Sequence, residues 1–498
     1  MLLGTTKVVP ATHEIRTEHS RVTVRPQVMQ VLLALIDARG AVVTRDDLAE
    51  QCWQGRFVAD DSLNAAIAEL RRALQTAGSC DLAIETVPKT GYRITGAGFD
   101  VVHDGALSDE PPNRRQALGM IALGGTGLVV AAGLTFVRTR GSSGEDVDAL
   151  VEQGRVSLRQ GLPEAYAEAV QQLQRAVAGD PRNADAWGLL ALASREAAEY
   201  AAPAKSAAAR RAAELAARRA LEINPRQSDA LTALALLAPV FGYWTDAERR
   251  IRAVLAIDPG NGFARSALGT LQMSTGQVAK CLSNLNWLVQ RDPWSPNHQF
   301  RRIYTLWSDG RLAEMDRAAD WALQSWPNHP AVWFARFWTL AFTGRVPVAF
   351  GMLHDAASRP PLPQQARQLL ETSLRAIAGN APAERREAIA LNVAAAVQSP
   401  AGAISAIMIL SQLGAADEAY QVAQGFLLQR GRLLTKQRHP QPTLPLTDQH
   451  QRMAMMLWIP VTNPLRMHPD FKALCEGIGL VDYWRQAGSG PDFRKAWA

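Results

Sequence analysis

The sequence predicts a multidomain, mainly α-helical protein in three parts: an N-terminal α+β domain, one apolar helix of membrane length, and a C-terminal α-solenoid. Three observations predict it. Pro225, Pro259, Pro293, Pro327 and Pro361 recur every 34 residues. Leu118–Val137 runs for twenty residues without a charge. The first hundred residues mix short β-forming runs with amphipathic helical ones.

Composition sets the outer bounds. At 498 residues, 47% hydrophobic and 20% charged, the chain can bury several cores, so two or three domains are expected. A net charge of +6 and a pI near 9.3 suit nucleic acid or anionic lipid without requiring either. The cysteines at 52, 80, 281 and 475 form no CxxC pair and no metal-ligand spacing. No secretory signal opens the sequence.

Residues 1–99 read as strands, three helices and a closing hairpin. "MLLGTTKVV" and "RVTVRP" gather β-formers at strand length. "VMQVLLALIDARG" has helical apolar spacing and stops on Gly40, a C-cap residue. "TRDDLAEQCW" starts with Thr44 as N-cap and Asp47 three residues on, close to a capping box. In "DDSLNAAIAELRRALQ", Leu63, Ile67, Leu70 and Leu74 share one stripe, and "IETVPKTGYRI" reads as two strands about a Pro-Lys-Thr-Gly turn. In this order and spacing the run resembles the winged helix-turn-helix domain of OmpR/PhoB-type transcriptional regulators. The resemblance implies a third helix in the major groove of double-stranded promoter DNA, with the hairpin wing at the neighbouring minor groove.

Helical geometry distributes the roles. With the leucine stripe facing the core, a step of about 100° per residue puts Asp61, Ala65, Ala68 and Arg72 on the opposite face. Asn64, Glu69, Arg71 and Gln75 flank them. Arg71, Arg72, Lys89 and Arg93 are the expected phosphate partners, where cations bind without reading sequence. Asn64 suits a base edge or a phosphate, and Ala65 or Ala68 a thymine methyl. The resemblance adds Thr90 and Tyr92, where the family's wing meets the DNA backbone. Residues 1–99 hold eleven Lys plus Arg and eleven Asp plus Glu, hence no net charge. Binding is therefore expected to be weak per monomer and to depend on self-association or tandem sites.

A linker at 100–117 leads to Leu118–Val137. Twenty helical residues at about 1.5 Å each span roughly the 30 Å of a bilayer core. Five glycines within the stretch would weaken a soluble helix, whereas membrane helices tolerate them. A transmembrane helix surrounded by lipid at 118–137 is expected. Arginines flank both ends, so charge alone does not orient it.

Beyond it, "EINPRQSDALTALALL", "AIDPGNGFARSALGTL", "QRDPWSPNHQFRRIYTL" and "QSWPNHPAVWFARFWTL" recur at the 34-residue period, the signature of tetratricopeptide (TPR) repeats. Pro181 starts the series early, and an alanine-rich insertion near 200–210 is expected to absorb the ten extra residues. Six repeats are expected within 145–361, with Gln299 and Arg302 making the one at 296–329 degenerate. Seven tryptophans lie between 287 and 338, read mainly as repeat core and alternatively as an aromatic groove. Cys281 falls at a small buried position of its repeat. The concave face of such a stack binds a protein or peptide. Residues 362–498 read as further TPR-like helices and a cap built on Phe471, Leu474, Tyr483 and Trp484.

No catalytic motif appears, and no enzyme, cofactor or metal site is expected. Together the parts resemble ToxR/CadC-type one-component regulators. That resemblance implies a single-pass protein of the bacterial cytoplasmic membrane, with its N-terminus in the cytoplasm and the repeats sensing a signal outside. Two other readings stay open: a soluble cytoplasmic TPR-containing transcription factor, and a TPR interaction scaffold.

Overall fold

The computed structural model describes most of residues 2–96, residues 147–437 save 380, and residues 454–493. The chain divides into two compact units, Met1–Gly124 and Gly125–Ala498.

In the first unit, β1 (Leu2–Leu3), β2 (Thr6–Val9), β3 (Glu14–Arg16) and β4 (Arg21–Thr23) form an antiparallel meander. Val8 pairs with Ile15, and both are fully buried. The buried carboxylate of Glu14 is held by Arg16 and Arg21, the pairing that a charge beneath a sheet requires. Helix α1 (Pro26–Asp37) follows, with Pro26 at its first turn. The Asp47 N–H donates to Thr44 Oγ1 at 3.1 Å, the N-cap bond that the Thr-Arg-Asp-Asp run encodes. Helix α2 (Asp60–Thr76) then lies over a second sheet of β5 (Val43–Thr44), β7 (Gly91–Thr95) and β6 (Ala83–Val87), in that order. Leu63, Ile67, Leu70 and Leu74 are all buried, so the stripe read from sequence is the core face.

The second unit is a solenoid of helix pairs. Six pairs run from Val147 to His354, with helices at Val147–Gln160 and Pro163–Gly179, Ala184–Tyr200 and Pro203–Ile223, Ser228–Leu237 and Trp244–Ile257, Gly262–Ser274 and Val278–Arg291, Pro296–Ser308 and Leu312–Ser325, and Pro330–Phe342 and Val346–His354. Two more follow, Gln364–Ala378 with Pro382–Ala396 and Pro400–Gln412 with Ala416–Leu427. Between pairs, Asn183, Gln227, Asn261 and Ser295 each cap the next helix through a side-chain oxygen. The cap amides reach back as well: Gln227 donates to Asp185, and Asn261 donates to Asp229. Within pairs the chain turns at Gly242, Gly276, Gly310 and Gly344, all near φ +80°, where an L side chain is strained.

Three details bear on the sequence reading of the repeats. The ten extra residues near 200–210 are absorbed by a longer second pair, whose helices run 17 and 21 residues against 13 and 14 in the fourth. The fifth pair forms in spite of Gln299 and Arg302, because Gln299 donates to the Pro293 carbonyl and Arg302 to Asn286. The tryptophans at 294, 307, 326, 333 and 338 are buried core, and Trp287 lies between the guanidinium groups of Arg265 and Arg291. Cys281 and Cys475 are both buried and free.

The single-pass membrane architecture needs correction. Among the described residues no helix is long and apolar enough to cross a membrane. The longest, Pro203–Ile223, carries seven charged side chains, which hydrocarbon would not accept. The stretch 118–137 lies outside the described residues. The transmembrane helix, its lipid contacts and the inner-membrane localisation are accordingly withdrawn. What the described residues support is a mainly α protein with a small β-containing N-terminal unit and a helical-repeat solenoid.

The solenoid closes on itself. The end of the first helix meets the starts of the fifth and sixth pairs: Arg159 pairs with Asp292 at 3.1 Å, Ser295 Oγ donates to the Arg159 carbonyl, and His329 Nε2 lies 2.8 Å from the Gln160 carbonyl. Gly161 completes this seam at φ +71°, with Asn297 so near that a Cβ would meet its side chain at 2.9 Å. His329 is consumed by the seam and makes no side-chain cap.

The C-terminal segment closes a second loop. Phe471, Leu474, Tyr483 and Trp484 are buried as expected. The segment does more than cap the last pair, because three tryptophan N–H bonds tie it to the middle of the solenoid: Trp244 donates to the Ile478 carbonyl, Trp458 to that of Ser274, and Trp484 to that of Thr275.

Candidate nucleic-acid interface

The interface is built on α2. Burial of its leucine stripe turns Ala68, Arg72 and Gln75 outward, and all three are exposed. Among the described residues Arg72 meets a carbonyl of its own helix, that of Ala68 at 3.4 Å, and no carboxylate, and it is exposed. Asn64 and Ala65 lie on the same helix, within its N-terminal half. Lys89 falls outside the described residues.

Arg71 is placed differently from its neighbour. Its guanidinium donates to the Ile84 carbonyl at 3.0 and 3.1 Å and to Thr86 Oγ1 at 2.7 Å. It braces α2 against β6 and thereby sets the angle between helix and hairpin. Arg93 pairs across the hairpin with Glu85 at 2.8 Å, the two facing each other in the strand register. Thr90 is exposed at the hairpin turn. Tyr92 packs in the core at 3% exposure, which gives its ring a packing role under the wing rather than a surface on it.

The absent net charge has a local explanation. Glu69 is held by Arg25, whose side chain donates at 2.6 Å, and Glu85 by Arg93. Both pairs are partly or largely exposed, where an ion pair contributes only about 0–1 kcal/mol. Arg25 and Arg93 are thus only weakly engaged by their surface partners, and Arg72 has no carboxylate partner among the described residues.

One essential residue was not legible from local pattern. Gly91 sits where β5 crosses β7, and a Cβ there would lie 1.9 Å from the Val43 carbonyl oxygen. The two-residue strand Val43–Thr44 is too short to carry a sequence signal, so the demand on Gly91 becomes visible only in the pairing.

Comparison with known proteins agrees with this geometry. Residues 19–94 match the family Trans_reg_C, described as "Transcriptional regulatory protein, C terminal". The chain is 28% identical to Transcriptional activator CadC of Escherichia coli (strain K12) over 93 residues, 18% of each chain. It is 39% identical over 67 residues to the Cholera toxin homolog transcriptional activator of Vibrio parahaemolyticus, covering 13% of this chain and 23% of that one. It is also 33% identical over 157 residues to Cellulose synthase 1 operon protein C of Komagataeibacter xylinus, 31% of this chain and 12% of that one. The matches thus span less than a quarter of each relative. The N-terminal unit carries an OmpR/PhoB-type domain, homologous to those of CadC and ToxR-like activators.

Proposed function

We propose that this chain is a transcription regulator that grips double-stranded promoter DNA through α2 and the β6–β7 wing, with its solenoid receiving the input that modulates the grip. The observation that carries the reading is the division of labour between two adjacent arginines. Arg71 is spent on bracing helix to wing, and Arg72 is exposed with no carboxylate partner among the described residues. In this reading Arg72 contacts a phosphate, as does Lys89, while Arg25 and Arg93 join once DNA displaces their surface partners. Asn64, Ala65 and Ala68 read base edges, and Thr90 steadies the wing on the backbone. Two copies on adjacent half-sites supply the affinity that one near-neutral domain lacks.

The test is binding of duplex DNA by the full chain across a salt series. Arg72→Ala is expected to weaken binding on every sequence and to reduce the slope of log affinity against log salt by about 1. An unchanged slope removes Arg72 from the phosphate set. A wild-type chain that binds no duplex at low salt overturns the reading as a whole.

A further inference from the structure

The seam between the first and fifth pairs has a cavity behind it. Its lining runs from Leu158 and Tyr166 of the first pair to Asn297 and Arg301 of the fifth, so closure of the solenoid creates it. The space is about 80 Å³. At roughly 10–15 Å³ for each water it admits, that is on the order of six waters, the displacement of a molecule of about seven heavy atoms.

The walls are chemically divided. Leu192, Leu236, Val240, Ile251 and Phe263 form an apolar side. The polar side is rich in donors. Arg301 donates through Nη1 to Ser266 Oγ at 3.2 Å and to Thr270 Oγ1 at 2.7 Å, and among the described residues it pairs with no carboxylate. The two hydroxyls orient the guanidinium, while its Nε and Nη2 donate to nothing among the described residues. The Tyr166 hydroxyl and the Asn297 amide, on the same lining, likewise make no hydrogen bond among the described residues. Glu196 also reaches the lining, but it pairs with Arg195 at 2.7 Å and not with Arg301.

A guanidinium, an amide and a phenol beside an apolar wall call for a ligand that accepts hydrogen bonds at one end and is hydrocarbon at the other. We infer that this cavity binds a short-chain monocarboxylate of about four to six carbons, with its carboxylate on Arg301 and its alkyl chain against the apolar wall. A second carboxylate would lie among hydrocarbon or against Glu196, which disfavours dicarboxylates. A neutral molecule of the same shape would leave the Arg301 charge unmatched. Held between Tyr166 and Arg301, the ligand would also link the first pair to the fifth and so favour the closed ring. The inference deepens the reading of the solenoid as the input domain and rests on it only for that role.

Calorimetric titration of the full chain with butyrate, valerate and hexanoate tests it, alongside their amides, acetate and glutarate. At least one of the three carboxylates is expected to bind saturably, with its amide, acetate and glutarate each weaker by about tenfold or more. No binding by any of the three overturns the inference. So does an amide that binds as well as its acid, which would mark a purely apolar site, and so does acetate or glutarate that binds as well, which would mark a plain anion site. Arg301→Gln is expected to abolish the advantage of the acid over its amide. Ala267→Leu fills the space without touching a charge and is expected to exclude the longer chains, so it locates the site even where loss of Arg301 unfolds the protein. Unchanged binding in either folded variant overturns the placement. The ligand series itself needs no variant. Duplex DNA binding without carboxylate is read separately, so failure here and failure of the DNA reading are distinguishable.

Discussion

Arg159, near the end of the first solenoid helix, lies 3.1 Å from the carboxylate of Asp292, just before the fifth pair. Burial pushes the Asp292 carboxyl up, and Arg159 pulls it back. Both side chains are about a quarter exposed, so the pair is screened but not idle. Asp292→Ala is expected to lower the stability of the solenoid by about 1 kcal/mol. The urea midpoint checks this, with Asp246→Ala, which breaks a well-exposed pair with Arg249, as the comparison expected to change little.

The two neighbouring arginines of α2 separate in their phenotypes. Arg71→Met removes charged hydrogen bonds to a carbonyl and a hydroxyl, and is expected to cost the N-terminal unit about 1.5–3 kcal/mol. Its DNA affinity falls through misplacement of the wing, so the salt slope stays near wild type while the melting temperature drops. Arg72→Ala does the reverse. Equal melting temperatures for the two variants would contradict the bracing role.

Gly91→Ala drives a methyl group into the Val43 carbonyl. Backbone on both sides leaves no flexible side chain to yield, so a loss of about 3 kcal/mol or an unfolded N-terminal unit is expected. Heteronuclear spectra of the full chain read this directly, since resonances of the solenoid should hold their positions.

His298 gives the seam a pH dependence. Burial, with the positive Arg301 and Arg159 nearby, pushes its imidazole down to about 3 from the usual 6.5. A depressed value means that the unfolded chain takes up the proton first. Stability is therefore complete above pH 6.5 and is lost as pH falls towards 3, by up to about 5 kcal/mol from this one group. His298→Gln is expected to flatten the curve in that window relative to wild type. Parallel curves for the two chains would exclude His298 as the source.

Trp484 is fully buried and ties the C-terminal segment to the Thr275 carbonyl. Trp484→Ala is expected to cost about 3–5 kcal/mol, as for other large buried aromatics. Chemical denaturation followed by tryptophan fluorescence measures it, and a loss under 1 kcal/mol would mean that the segment is only loosely docked.

The parts legible in the sequence are those held by neighbours along the chain. The 34-residue prolines marked the pair boundaries, the Leu63–Leu74 stripe marked a core face, and Thr44 with Asp47 marked a cap. Each is a local rule repeated or spaced by helix geometry. What escaped depends on residues far apart. Nothing near Gly161 announces Asn297, nothing in "TGYRI" announces Val43, and nothing in the closing tail names Thr275. Arg71 and Arg72 look interchangeable as sequence, yet one helical step separates a brace from an exposed guanidinium with no carboxylate partner among the described residues. The apolar run at 118–137 shows the opposite failing: hydropathy suggested an architecture that no described helix supports.

A linear array of repeats unravels from its ends, since a terminal unit has only one neighbour to hold it. Here the first pair is fastened to the fifth and the final residues to the third and fourth, so neither extremity is free to fray alone. Heat or denaturant should therefore take the solenoid apart in one cooperative step, not in a series of partial ones. During synthesis the same fastening imposes a delay, because the third and fourth pairs must wait for residues 454–493 to leave the ribosome before they find their partners.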